Sequence, residues 1–265
     1  MLNNIILYAV LLIAAIGAIV GWQNSKKGAT WGQPMTVICA IIAICMGLFL
    51  AYSNSSSAAA NKSAMARENA FRVAKVTVLG NKVKELCPGK KAVVVIDPNV
   101  DPLKDVEMQT WKSMFELSDD DFVKPDVPQP PAGTPPEMVM VEPMEEWFRQ
   151  AMLEKMLKGK KYDLIIFTTS LPRDIKQAKG VFTAPFLKDA KVVLASGNLF
   201  GCAGFINAGT AVAAVTSSPT AVYDDKPAPK ETKAAFDKRD ILITKDNLQA
   251  LMKSNGDIFG LQTSN

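Results

Sequence analysis

Two uncharged apolar runs stand back to back at the start of the chain: IILYAVLLIAAIGAIVGW, Ile5 to Trp22, and MTVICAIIAICMGLFLAY, Met35 to Tyr52. An α-helix rises about 1.5 Å per residue, so a hydrocarbon core of roughly 30 Å takes about 20 residues to cross. Each run has 18 residues, within the accepted range. Trp22, Trp31 and Tyr52 flank them, amphipathic rings of the kind that settle at headgroup depth. The start, MLNN, lacks the basic side chains of a signal peptide, and a soluble helix would show a polar face. The pattern predicts a transmembrane helical hairpin over residues 1–52, with helices at about 4–22 and 35–52. It implies an integral membrane protein of the bacterial inner-membrane kind, with the lipid bilayer as a partner. Lys26 and Lys27 in the loop, against Lys62, Arg67 and Arg72 beyond the second run, leave the side of the following domain open.

Small residues recur in the first run, and Gly17 and Gly21 form a G-x-x-x-G pair that lets two helix backbones approach closely. That pair serves either packing within the hairpin, the favoured reading, or contact with other membrane-protein subunits.

All 26 acidic residues follow Tyr52, the first being Glu68. Setting aside Lys26 and Lys27, the 30 basic residues leave 28 against them, so the remainder is nearly neutral. No basic stripe with interleaved aromatics appears, which argues against nucleic-acid binding. Histidine is absent from the whole sequence. That removes His-based metal sites, the Ser-His-Asp triad and the Cys-His pair together, and no metal or other cofactor is expected. Cys39 and Cys45 lie in the second apolar run; Cys87 and Cys202, further on, have no framework spacing, and their pairing is open.

Residues 53–63, SNSSSAAANKS, read as a small polar linker, and 64–265 as one α/β domain. A helical stripe from Ala64 to Leu86 stops at Pro88 and Gly89. Four apolar runs then read as strands buried on both faces: Ala92 to Ile96, Asp163 to Thr168, Lys191 to Ala195 and Ala211 to Val215. Met138 to Pro143 reads as a short edge strand, Ile241 to Thr244 as the last strand, and helices are predicted at Leu103–Leu117, Met144–Lys161, around Leu199–Gly209, and after Asp246. A Pro-rich loop is expected at about 118–136. Strands alternating with helices give a three-layer, Rossmann-like α/β domain with a mostly parallel sheet, and a weak second strand suits the flavodoxin-like order 2-1-3-4-5.

Ligands in open α/β sheets bind beyond the carboxyl ends of the strands. There the sequence places Asp97 and Asn99, Thr169 and Ser170, Ser196 and Asn198, and Ser217 and Ser218, small hydrogen-bonding groups that suit a polar, uncharged small molecule. The same residue types also make turns and helix caps. No catalytic set emerges, so the reading is a membrane-anchored, non-catalytic α/β domain that binds a protein partner or a small polar ligand. Two other classes stay open: a structural subunit of a membrane complex, and an enzyme using Asp97 or Cys202.

The segment Phe205 to Pro219, FINAGTAVAAVTSSP, resembles part of the type 1 periplasmic-binding-protein and LacI-type sugar-receptor lobe. Ile206, Gly209, Val215 and Pro219 keep its spacing. The resemblance implies that the polar pair Ser217 and Ser218 faces a ligand, although that family usually carries larger amide or carboxylate groups there. It covers about 15 of 265 residues, and the chain has room for one such lobe.

Overall fold

The computed structural model describes residues 2–129, 142–172, 175–187 and 189–260. They divide into two compact units, Met1–Ala66 and Arg67–Asn265.

In the first unit, α1 (Leu2–Lys26) turns through Gly28, at φ 80°, into α2, which spans Gly32–Leu86. A Cβ on Gly17 would lie 2.8 Å from Cys39 Sγ, and one on Gly21 2.7 Å from Thr36 Oγ1. The glycine pair is therefore occupied by α2 of the same chain.

Among the described residues, no helix is long and apolar enough to cross a membrane. This overturns the expected transmembrane hairpin, and with it the bilayer as partner and the integral membrane location. The run after Met35 does not close off as a separate span. It belongs to a helix of 55 residues that continues through Ser53 to Ser63, where Ser, Ala, Asn and Lys replace apolar side chains.

The second unit is built on six strands: β1 (Ala92–Val95), β2 (Phe122–Val123), β3 (Leu164–Phe167), β4 (Lys191–Leu194), β5 (Ala211–Ser217) and β6 (Asp240–Ile243). Their order is β2-β1-β3-β4-β5-β6; the first five are parallel and β6 runs antiparallel to β5. The sheet is thus mostly parallel, as the apolar strand runs imply, and the order of the first five is flavodoxin-like. Register places Val94 beside Ile166, and Ile166 beside Val193.

Side-chain alternation divides the strands between two cores. Val93, Val95, Ile165, Phe167, Val192 and Leu194 face α5 (Gln150–Leu157), α6 (Ile175–Thr183), α7 (Ala203–Asn207) and α9 (Lys245–Ser254), meeting Leu153, Val181, Ile206 and Leu248. Ala92, Val94, Ile96, Leu164, Ile166 and Val193 face the other way. There Val76, Leu79 and Val83 of α2, Met108 and Trp111 of α3 (Val106–Phe115), and Phe236 of α8 (Thr232–Asp237) cover them. Helices on both faces explain why the strands are apolar without alternation. Full burial of each large side chain contributes about 1.5–3 kcal/mol.

Three local expectations are revised. The second strand, Phe122–Val123, sits inside the segment expected as a Pro-rich loop, while Met138 to Val141 of the expected edge strand lie outside the described residues. The helix over Met144–Lys161 is two pieces, α4 (Met144–Trp147) and α5. Phe148 and Arg149 are extended between them, and Phe148 turns fully into the core. Between β3 and β4, α6 occupies a stretch for which sequence reading offers no element.

Candidate binding site

The chain leaves β1 for β2 on one side and then crosses to β3 on the other, so the order reverses between β1 and β3. The crevice outside the carboxyl ends of these two strands is the usual ligand position in such sheets.

Beyond β1, Asp97 Oδ1 accepts the Asn99 N–H at 2.8 Å, and the Val100 N–H closes onto the Asp97 carbonyl at 3.0 Å. The carboxylate of Asp97 therefore holds its own turn, while Asn99 is exposed. Lys124, just after β2, donates from Nζ to the Val100 carbonyl at 3.0 Å and steadies the loop from outside. Beyond β3, Thr168 donates to the Val95 carbonyl from its N–H at 3.1 Å and from Oγ1 at 3.0 Å, tying the two strand ends together.

Thr169 follows. It is only 7% exposed, and its Oγ1 has no hydrogen-bond partner among the described residues. A buried hydroxyl in that condition costs about 1–3 kcal/mol, so folded chains seldom keep one without a use. Next to it, Ser170 abuts the turn beyond β4: a Cβ on Gly197 would lie 2.8 Å from Ser170 Cα and 2.9 Å from its Oγ. Gly197, at φ 89°, is the residue that permits this approach.

The other expected residues separate from this group. Ser196 lies two residues after β4, partly buried. Asn198 Oδ1 accepts the Phe200 N–H at 3.2 Å, another local turn. Ser217 Oγ is 3.4 Å from the Tyr223 hydroxyl, and Ser218 Oγ accepts the Thr220 N–H at 3.2 Å. The last two stand at the end of β5, three strand spacings or about 14 Å from β1. Thr169 and Ser170 with Gly197, beside the Asp97–Asn99 turn, form the compact group; Ser217 and Ser218 do not join it. Thr168, visible in the sequence at the strand end, was not placed among the candidate site residues, and Lys124 was missed. A threonine preceding Thr169 on the strand was the available signal for the first; nothing marked the second.

Neither cysteine is poised for chemistry. Burial pushes the Cys202 thiol up to about 12, and burial also raises Cys87, against the pull of Lys191 and Lys90. Cys202 packs in the core on one face of the sheet and Cys87 in the core on the other; both are free thiols. No group of three Cys, Asp or Glu suited to a metal ion occurs among the described residues.

Two open clefts, of about 570 and 450 Å³, lie at the opposite, amino-terminal ends of the strands, lined among others by Lys91, Lys160, Asp163, Asp189 and Lys191. Their polar groups are ordinary solvated surface: Asp163 takes the Lys91 N–H at 3.2 Å and lies 3.8 Å from Lys90 Nζ. The carboxyl-end crevice, with a buried unsatisfied group, is the stronger candidate.

No family model matches the chain, and no curated protein does. Among solved structures, a mutant of the XylFII-LytSN complex matches at 14% identity over 67% of this chain and 68% of that one, with a TM-score of 0.38. At that score the likeness carries no argument about ligand or partner. The resemblance to a periplasmic-binding-protein lobe rests on its own segment, which folds as α7, a turn at Gly209 with φ 74°, and β5.

Proposed function

We propose that the α/β unit is a non-catalytic binding module that takes a small, polar, uncharged ligand at the crevice between the ends of β1 and β3. The observation that carries this reading is the Thr169 hydroxyl, buried at the end of β3 with no partner among the described residues. A ligand hydroxyl or amide placed there would restore the missing hydrogen bond, and the neighbouring lining of Ser170 and Asn99 is neutral. A catalytic reading has less to stand on, since Asp97 is engaged in its turn and Cys202 stays protonated.

The test is a thermal-shift screen of the full chain with sugars, nucleosides and amino acids. A ligand at a hundred times its Kd stabilises by about 2.7 kcal/mol, or roughly 5–10 °C for a domain of this size. The expected result is one ligand class that shifts the wild type and shifts Thr169→Val much less. Absence of any shift across the three classes would overturn the small-ligand reading.

A further inference from the structure

The β1 side of the crevice is a loop strung between the end of β1 and the start of α3. Asp105 caps α3, its side chain accepting the Glu107 and Met108 N–H groups at 2.9 and 3.2 Å. Along the loop, Asn99 and Val100 donate to Asp97, and Leu103 donates to the Asp101 carboxylate at 3.0 Å. Gln109 reaches back from α3 to the Pro102 carbonyl at 2.6 Å. Val100 packs at the edge of the core under α2 and α3. Apart from Lys124 on the Val100 and Pro98 carbonyls, these hydrogen bonds tie the loop only to itself and to α3.

Core packing holds the body of α3 through Met108 and Trp111, and Arg72 of α2 holds its first residues. Arg72 donates from Nη2 to both carboxylate oxygens of Asp105, at 2.8 and 2.6 Å, and from Nε to Glu107 Oε2 at 3.3 Å. Lys75 Nζ is 3.1 Å from Glu107 Oε1, and Glu107 is only 5% exposed. The helix that carries Arg72 is itself fixed, since Val76, Leu79 and Val83 are fully buried in the same core. A planar guanidinium presents its donors in a rigid fork, so it sets position as well as charge. The β3 side of the crevice uses none of this. Thr168 is held by its two bonds to the Val95 carbonyl, and the Ala195 N–H by the Phe167 carbonyl at 2.8 Å.

We propose that Arg72 is a positioning residue for the crevice: by gripping Asp105 and Glu107 it fixes where the Asp97–Asn99 turn stands, and so sets the β1 wall of the site without touching a ligand. The role takes its purpose from the binding reading above, and its geometry from the bonds just described. It makes the two walls unequal. Loosening Arg72 frees the β1 wall and leaves Thr169 and the β3 wall in place.

Amide hydrogen exchange of the full chain, followed by NMR, tests this with two variants. Arg72→Lys keeps a cation beside Glu107 but loses the fork, and Asp105→Asn still caps α3 but loses the charge that Arg72 grips. Asn99 and Val100 report the turn through their bonds to Asp97; Thr168 and Ala195 report the other wall. In both variants Asn99 and Val100 are expected to exchange at least about tenfold faster relative to Thr168 and Ala195, as the loss of one charge-assisted hydrogen bond allows. An ion pair that served stability alone would lower the protection of all four together; that result, or an unchanged ratio, overturns the positioning role. If neither variant folds, wild-type exchange decides. Asn99, Val100 and Glu107 opening together, faster than Thr168, supports the shared clamp, and Val100 opening independently of Glu107 refutes it. The measurement needs no ligand, so a uniform change refutes the clamp and leaves the binding reading standing, whereas a ligand screen without a shift refutes that reading and leaves the exchange result standing.

Discussion

Replacing Thr169 with valine should make the apo protein more stable, which is unusual for removing a polar contact point. The two side chains share a β-branched shape, so the backbone and rotamer preferences at the end of β3 are kept. What changes is the hydroxyl, 7% exposed with its residue and without a partner among the described residues. Leaving such a group unsatisfied costs about 1–3 kcal/mol. Exchanging it for a methyl in the same space should return about 1–2 kcal/mol. For a unit of about 200 residues this raises Tm by roughly 2–8 °C. Thr169→Ser, which keeps the hydroxyl and loses the methyl, should fall about 1 kcal/mol below wild type. The assay is urea unfolding followed by circular dichroism, with equal m-values confirming that only the midpoint moves. The predicted ranking is valine, threonine, serine. If valine instead lies 1 kcal/mol or more below threonine, the hydroxyl is paired, and the argument for the site loses its basis.

Three further outcomes follow from the geometry. Asp240→Asn should stabilise at neutral pH. The step from the ordinary 3.8 to about 6 corresponds to about 3 kcal/mol at 1.36 kcal/mol per pH unit, and partial exposure screens it to about 1–2 kcal/mol. Because the folded value is raised, this stability is fully present below about pH 3.8 and lost as pH climbs through about 6. Glu68 behaves oppositely: its bond from Arg239 holds it low, so its contribution fades only as the solution becomes strongly acid, and wild-type stability should peak between the two regimes. Gly197→Ala should cost about 2–3 kcal/mol in urea unfolding, since φ 89° suits glycine and the new Cβ would meet Ser170 Cα; a neutral result would contradict the close approach. Thiol labelling followed by mass spectrometry should modify exposed Cys45 first and Cys202 only at the rate of unfolding, as a buried thiol held near 12 requires.

The fold of the second unit was largely readable in advance because burial on both faces leaves an unmistakable trace. Val93 to Ile96, Leu164 to Phe167 and Val192 to Ala195 are apolar without a break, and only a helix-covered parallel sheet asks for that. Elements defined by tertiary contact left weaker traces. A two-residue strand, Phe122–Val123, exists only because it pairs with Val94 and Val95. The interruption of the helix at Phe148 follows from that ring's burial, which periodicity does not encode. The first 52 residues show the limit most clearly: two apolar runs suggested a pair of spans, and the second continues instead into a longer helix. At the site, sequence identified the strand ends but not their grouping. Asp97, Asn198 and Ser218 proved to serve local turns, whereas Thr169 was distinguished by burial alone.

Chemical-shift mapping of the full chain, titrated with the sugar, nucleoside and amino-acid panel, tests binding at the switch point most directly. The account predicts that a binding ligand moves the amide signals of Thr169, Ser170, Gly197 and Asn99 first and by the largest amount. Shifts confined to Lys91, Lys160 and Asp189 at the opposite end of the sheet, or no shifts with any ligand, would contradict it.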